Sequence, residues 1–270
     1  MNERSASDAA GAAASDVEDQ AALDPTERDA ASVDGSEPPP HAFWQDILPA
    51  PSRDERTGGE RQGAVLGETF VAALPDGRRL MLPIRERDGG RAGLASLILN
   101  QASFAVQDAL ADALAERVAS YRPDLVVGVP TLGLPLAEQL ARRLGHRRFV
   151  ALGTSRKFWY DEALSVPLSS VTSPGHAKRL YVDPRMRPLL AGHRVALVDD
   201  VISTGSSIES AMTLLGRVGA RPVVIGCAML QGARWSGTAD DGQVLDGCPV
   251  TAVFRTPPLS RMPDGLWYVR

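Results

Sequence analysis
Two adjacent carboxylates end an apolar run, Val195-Ala196-Leu197-Val198-Asp199-Asp200, and a small hydroxyl-rich turn follows: Val201-Ile202-Ser203-Thr204-Gly205-Ser206-Ser207. The apolar run reads as a strand covered on both faces. Its end delivers Asp199 and Asp200 to the carboxyl edge of a sheet, where open α/β folds bind ligands. The turn opens a helix expected over 206–218, with Ile208, Met212, Leu215 and Val218 on one face. Gly205 lets the backbone come close to a ligand. Exposed N–H groups, nearby hydroxyls and the helix dipole together make an anion site. Carboxylates suit a polyol and the loop suits phosphate, so a sugar phosphate satisfies both ends. Taken alone, the pattern also fits receiver-type and other nucleotide-binding α/β domains, where one carboxylate could simply cap the helix.

Two further segments could meet the same ligand. Leu125 to Val129 is a short apolar strand, and Gly128-Val129-Pro130-Thr131-Leu132-Gly133-Leu134 turns from it into a helix. Pro135 suits the first position of that helix, which runs to Leu144, and Gly145 suits its C-terminal cap. Arg148 to Leu152 is strand-like again, completing a right-handed βαβ unit. Ser155-Arg156-Lys157 follows; by itself such a pair is a solvated edge. Residues 158–187 form a long irregular insertion. It has a Ser/Thr/Pro/Gly centre at 169–175 and then Lys178-Arg179. Insertions of this kind in compact domains are functional or disordered.

The remaining elements must position these loops. Val65 to Leu74, the turn Pro75-Asp76-Gly77 and Arg79 to Ile84 read as a hairpin. Leu94 to Val118 carries Leu97, Ile98, Phe104, Val106, Leu110, Leu114 and Val118 at helical spacing. Val223 to Leu230 is another strand, and Val250 to Phe254 a last one. Alternating strands and helices indicate an α/β domain with a mainly parallel sheet. Cys227 falls within a strand pattern and reads as a core residue rather than a nucleophile.

The stretch 195–207 resembles the phosphoribosyl-pyrophosphate (PRPP) motif of type I phosphoribosyltransferases: an apolar strand, an acidic pair, two apolar residues and a hydroxyl/glycine loop. The resemblance covers about residues 64–235 and is nearest to the xanthine and adenine (purine) enzymes. It implies that fold: a mainly parallel twisted sheet flanked by helices, with a small hood built from N- and C-terminal segments. It implies that Asp199 and Asp200 hydrogen-bond the ribose 2′- and 3′-hydroxyls. Ser203, Thr204, Gly205, Ser206 and Ser207 would then hold the 5′-phosphate. Thr131, Leu132 and Gly133 would face the diphosphate through backbone amides, since the basic residue that some members carry in this loop is absent. Arg156 and Lys157 resemble the Arg-Lys pair of purine enzymes that contacts the diphosphate. Residues 158–187 correspond to the catalytic lid, with Lys178 and Arg179 suited to closing over a polyanion. Leu99-Asn100-Gln101 resembles a base-facing stretch of the xanthine-type hood, which makes Asn100 and Val201 candidate base contacts. A helix-surface Asn is the plainer reading of Asn100. Trp235 could stack on a purine or simply pack. The Lys-Leu-Pro-Gly loop of adenine-type enzymes has no counterpart here. The resemblance further implies PRPP and a purine base as partners, Mg²⁺ held mainly through PRPP rather than by a protein metal site, and a homodimer. Its alternative is a non-catalytic PRPP sensor on the same fold.

Composition sets the outer bounds. The chain has 270 residues, 44% hydrophobic and 23% charged, which is ordinary for a folded protein. The first 40 residues hold ten acidic side chains against Arg4 and Arg28, a net charge of −8. The whole chain carries −4, so the rest is +4. That acidic segment is rich in Ala and Ser, ends in Pro38-Pro39-Pro40 and lacks aromatics, so it cannot offset its chain entropy by burial. Residues 1–62 are therefore expected as a disordered acidic tail, with a short docking turn at Phe43, Trp44, Ile47 and Leu48. Residues 63–270 are expected as the folded domain, with a hood near 63–118 plus the C-terminal part and a core near 123–230. An acidic, unpatterned N-terminal region argues against nucleic acid as a partner. Apolar runs stay under ten residues and the N-terminus lacks the apolar core of a signal peptide. Two cysteines and four scattered histidines make neither a disulfide framework nor a zinc set. A soluble cytoplasmic protein is expected.

Overall fold
The structure, a computed structural model, describes residues 39–51, 64–168, 178–232 and 243–270. Its first half runs β1 (Val65–Leu66), β2 (Thr69–Ala73), β3 (Arg79–Arg87), β4 (Ala92–Ala95), α1 (Phe104–Ala119), β5 (Leu125–Gly128), α2 (Gly133–Arg143) and β6 (Val150–Ala151). Then come β7 (Ser165–Leu168), β8 (Lys178–Tyr181), α3 (Arg187–Leu190), β9 (Arg194–Ile202), α4 (Ser206–Arg217) and β10 (Arg221–Gln231). The chain closes with β11 (Val244–Leu245), β12 (Cys248–Thr256), β13 (Leu259–Arg261) and β14 (Trp267–Val269). Among the described residues no helix is long and apolar enough to cross a membrane.

The central sheet has the order β11-β12-β10-β9-β5-β6, parallel throughout except for β11. Strand alternation sorts its side chains into two cores. Ala196 and Val198 join Leu110, Leu114, Leu136 and Leu140 of α1 and α2 on one face. Val195 and Leu197 join Ile208, Leu214 and Leu215 of α4 on the other. This two-sided cover explains the unbroken apolar run that precedes Asp199.

A second six-stranded sheet, β1-β14-β13-β4-β3-β2, is the hood. It is sewn from both ends of the chain: β4 pairs with β13, and β1 with β14. The hairpin expected at 65–84 is present as β2 and β3 in register from Thr69↔Pro83 to Ala73↔Arg79. The helix expected over 94–118 is shorter. Its first part is instead the end of β4 and a 3-10 turn at Leu99–Gln101, and α1 begins after Ser103. Ser103 sets that boundary, because its Oγ accepts from the Val106 N–H (3.2 Å) as an N-cap. Leu97 and Ile98 matched the helical period because they too are partly or fully buried, but in an extended segment.

The apolar knot near residue 44 docks on this domain. Trp44 is buried and its Nε1 donates to the Ser96 carbonyl (2.9 Å). Leu48 and Arg79 exchange backbone hydrogen bonds. Within the 158–187 insertion, β7 and β8 make an antiparallel ribbon in register from Ser165↔Tyr181 to Leu168↔Lys178. Residues 169–177, which include the Ser/Thr/Pro/Gly centre of the insertion, lie outside the described residues, as does Trp235.

Candidate functional site
Strand β9 extends to Ile202, so Asp199 and Asp200 lie within the strand rather than beyond it. They are 8% and 6% exposed. The Asp200 N–H donates to Asp199 Oδ1 (2.9 Å). Burial pushes the Asp199 carboxyl well above the usual carboxylate range, and the neighbouring Asp200 charge pushes it further. Burial also raises Asp200, opposed by its hydrogen bonds to Asp199 and to the Val201 backbone. The two groups titrate as a pair. Cys227 pairs in register with Asp199 on β10 and is fully buried, with its thiol raised by that burial and by the two carboxylates.

After Ile202 the chain turns through Ser203, Thr204 and Gly205 into α4. Gly205 has φ +90°, a left-handed conformation that favours glycine, and it is the residue from which α4 springs. Thr204 Oγ1 and Ser206 Oγ lie 3.1 Å apart. The Ser206 N–H donates to Thr204 Oγ1 (3.4 Å), and the first turn of α4, Ser206 to Ile208, borders the same space, a helix N-terminus whose dipole favours an anion.

A cavity of about 680 Å³ lies over this edge of the sheet. Every residue from Asp199 to Ile208 lines it. Pro130, Thr131 and Leu132, after β5, form a second wall, and the Pro130–Thr131 peptide is cis. Gly133 stands behind them, packed on Asp199. Thr154 and Lys178 complete the core side. The hood supplies Arg85, Glu86 and Arg87 of β3, Leu94 of β4, and Ser96, Leu97 and Ile98. Met229 and Gln231 of β10 close the end. Gln231 is buried and its Nε2 donates to the Ala95 carbonyl (2.7 Å), joining the central sheet to the hood.

The acidic pair, the hydroxyl loop, Val201, Thr131, Leu132 and Lys178 thus share one space. Other anticipated residues do not reach it. Asn100 is exposed on the 3-10 turn, and its neighbours Leu97 and Ile98 take the lining positions. Arg156 and Lys157 are exposed beyond Thr154, with Arg156 Nε 3.5 Å from Glu162. Arg179 points away from Lys178 because successive strand residues alternate. Its guanidinium is held by Ser165 Oγ (2.7 Å) and Glu162 (3.0 Å). Arg85, Arg87, Ser96, Thr154, Met229 and Gln231 were not anticipated. A signal for the arginines existed: Arg85 and Arg87 continue the face of β3 opposite the buried Leu80, Leu82 and Ile84.

Asp199 and Asp200 carry no ion pair among the described residues, and no group of three metal-ligating side chains occurs there. An uncompensated, buried acidic pair fits a divalent cation that is held chiefly by a bound substrate's oxygens. The arrangement can therefore bind a polyol through carboxylates, an anion through the α4 turn and a second anion through the 130–133 loop.

A family model described as a phosphoribosyl transferase domain matches residues 97–251, and the chain belongs to this family. Among curated relatives, a transcriptional regulator, GfcR, of Halobacterium salinarum is 31% identical over 151 residues, covering 56% of this chain and 60% of that protein. An adenine phosphoribosyltransferase of Streptomyces coelicolor is 30% identical over 165 residues, covering 60% of this chain and 82% of that protein. A solved adenine phosphoribosyltransferase structure from Thermoanaerobacter pseudethanolicus is 22% identical, with a TM-score of 0.46, covering 56% of this chain and 81% of that one.

Proposed function
We propose that the chain transfers the 5-phosphoribosyl group of PRPP to a nucleobase, a purine in this reading, and releases pyrophosphate. The observation that carries it is the opening of the acidic pair, the α4 phosphate turn and the 130–133 loop into one cavity. Their three chemistries match the ribose diol, the 5′-phosphate and the diphosphate of one substrate. Similarity to an adenine phosphoribosyltransferase supports the purine class.

Asp199 and Asp200 accept hydrogen bonds from the ribose 2′- and 3′-hydroxyls and stabilise the positive ribose ring of an oxocarbenium-like transition state. Ser203 to Ser207 hold the 5′-phosphate and fix C1 toward the hood. Amides of the Thr131 to Gly133 loop receive the leaving diphosphate, with Lys178 facing the same space. The C1–O bond breaks with its electron pair going to pyrophosphate. A ring nitrogen of the base forms the new bond to C1 and releases its proton. Asp199 and Asp200 would be the protein-side contacts of a Mg²⁺ ion held mainly through PRPP, which would supply neutralisation of the diphosphate charge. Arg156 and Lys157 complete the clamp if residues 158–187 close over the cavity and exclude water.

A second reading is a PRPP-binding regulator on the same fold, favoured by similarity to a transcriptional regulator. One assay separates them: pyrophosphate release from PRPP and Mg²⁺ with adenine, hypoxanthine, guanine, xanthine, uracil and orotate offered singly. Base-dependent release is expected. Binding of PRPP without release from any base would favour the regulator.

A further inference from the structure
We infer that Arg85 and Arg87 make the acceptor end of this cavity selective for an anionic nucleobase, one carrying a carboxylate or an ionised ring oxo group. The inference rests on the phosphoribosyl-transfer reading and deepens it. With the ribose on Asp199 and Asp200 and its 5′-phosphate on the α4 turn, the base must project from C1 toward the hood wall. That wall carries Arg85 and Arg87, two residues apart and so on one face of β3. Arg85 Nε donates to Ser96 Oγ (3.1 Å), which orients the guanidinium without neutralising it. Arg87 has no side-chain hydrogen bond or ion pair among the described residues. Glu86, the carboxylate between them, also lines the cavity, but its charge is paired with Arg261, so the wall keeps a net positive charge. No aromatic side chain lines the cavity among the described residues; the flat contacts there come from Leu97, Ile98 and Val201. A neutral base would leave two cations facing it unpaired. An anionic one accepts the planar, multidentate hydrogen bonding that guanidinium groups provide. Xanthine, which ionises near neutral pH, and orotate, a carboxylate, are the purine and pyrimidine forms of that chemistry.

The test is steady-state kinetics of the full chain with PRPP, Mg²⁺ and xanthine, orotate, adenine or hypoxanthine, repeated with R85Q and R87Q. Xanthine or orotate should exceed adenine and hypoxanthine in kcat/KM by about tenfold or more, the scale of one charge-assisted hydrogen bond. Each variant should raise the acceptor KM by about tenfold and move the PRPP KM by less than about threefold. Preference for adenine or hypoxanthine, or a variant effect confined to the PRPP KM, overturns the inference and leaves phosphoribosyl transfer standing. Preference for orotate over xanthine upholds it and removes the purine class. If no base turns over, equilibrium binding of the 5′-monophosphates of xanthosine, orotidine and adenosine decides. Tighter xanthosine or orotidine monophosphate, lost in the variants, upholds the anionic site without the transferase. Equal binding, or none, overturns both.

Discussion

Gly133, the first residue of α2, lies against Asp199 so closely that a Cβ there would stand 2.7 Å from both the Cα and the Oδ1 of Asp199. The Asp199 backbone cannot yield, because β9 is hydrogen-bonded to β5 on one side and to β10 on the other. The loop assigned to the diphosphate and the carboxylate assigned to the ribose are therefore one packed unit. G133A should cost about 1–3 kcal/mol of stability by overpacking. It should also weaken PRPP binding, because the clash must be relieved by moving the Asp199 carboxylate or the 130–133 loop. Denaturant unfolding and PRPP titration check this; wild-type values in both would show the contact to be slack.

Asp199 and Asp200 are buried together at an energetic cost, which their raised proton affinity reports. D199N keeps the oxygen that accepts from the Asp200 N–H while removing one of two repelling charges. The apo protein should melt at a higher temperature as D199N than as wild type. Turnover should fall by about 10² or more, the scale of losing one electrostatic partner of a developing charge. A variant that lost stability as well as activity would mean that the pair is structural.

The same pair sets a pH dependence. Asp199 has a folded-state pKa raised above the unfolded value of about 3.9, so over the interval between the two the folded state binds more protons. Stability should therefore fall as pH rises from about 4 toward that raised pKa, and D199N should flatten the slope. PRPP affinity should run the other way, rising as the pair ionises. Melting temperature and PRPP binding measured across pH 4–8 would show both trends; parallel trends would contradict the assignment.

Gly205 holds φ +90° at the start of α4. G205A should cost about 1–3 kcal/mol from left-handed strain, unless the turn relaxes. Relaxation would tilt the α4 amides away from the 5′-phosphate, so the PRPP KM should rise either way. Chemical denaturation together with the PRPP KM tests this.

Gln231 ties β10 to the hood through the Ala95 carbonyl. Q231L leaves that buried acceptor unpaired and should destabilise by about 1–3 kcal/mol. Hydrogen exchange should quicken in β3 and β4 more than in β9. Uniform quickening would mean that the bond does not couple the sheets.

Local pattern carried much of this molecule. The apolar run 195–198, the acidic pair and the 203–207 loop were legible because each consists of neighbours in one strand–turn–helix unit. Gly205 could be read as the residue that allows the turn. The apolar spacing over 94–118 overextends α1, because burial in an extended segment mimics helical spacing when only positions are counted; the Ser103 cap decides where the helix starts. The strands β13 and β14 leave no local signal because three residues hold no period, and they form as partners of each other and of β4 and β1.

The sequence by itself determined which residues could bind a sugar phosphate, since that chemistry depends on side-chain type and short spacing. Tertiary structure decided which of them meet. Strand order places β5 beside β9, so Thr131 and Asp199, far apart in the chain, border one cavity. Closure of the hood from both chain ends brings Arg85 and Arg87 to its opposite wall. Alternation along β8 admits Lys178 and turns Arg179 away. These are consequences of non-local pairing and of the direction each strand gives its side chains, and neither is written in any single segment.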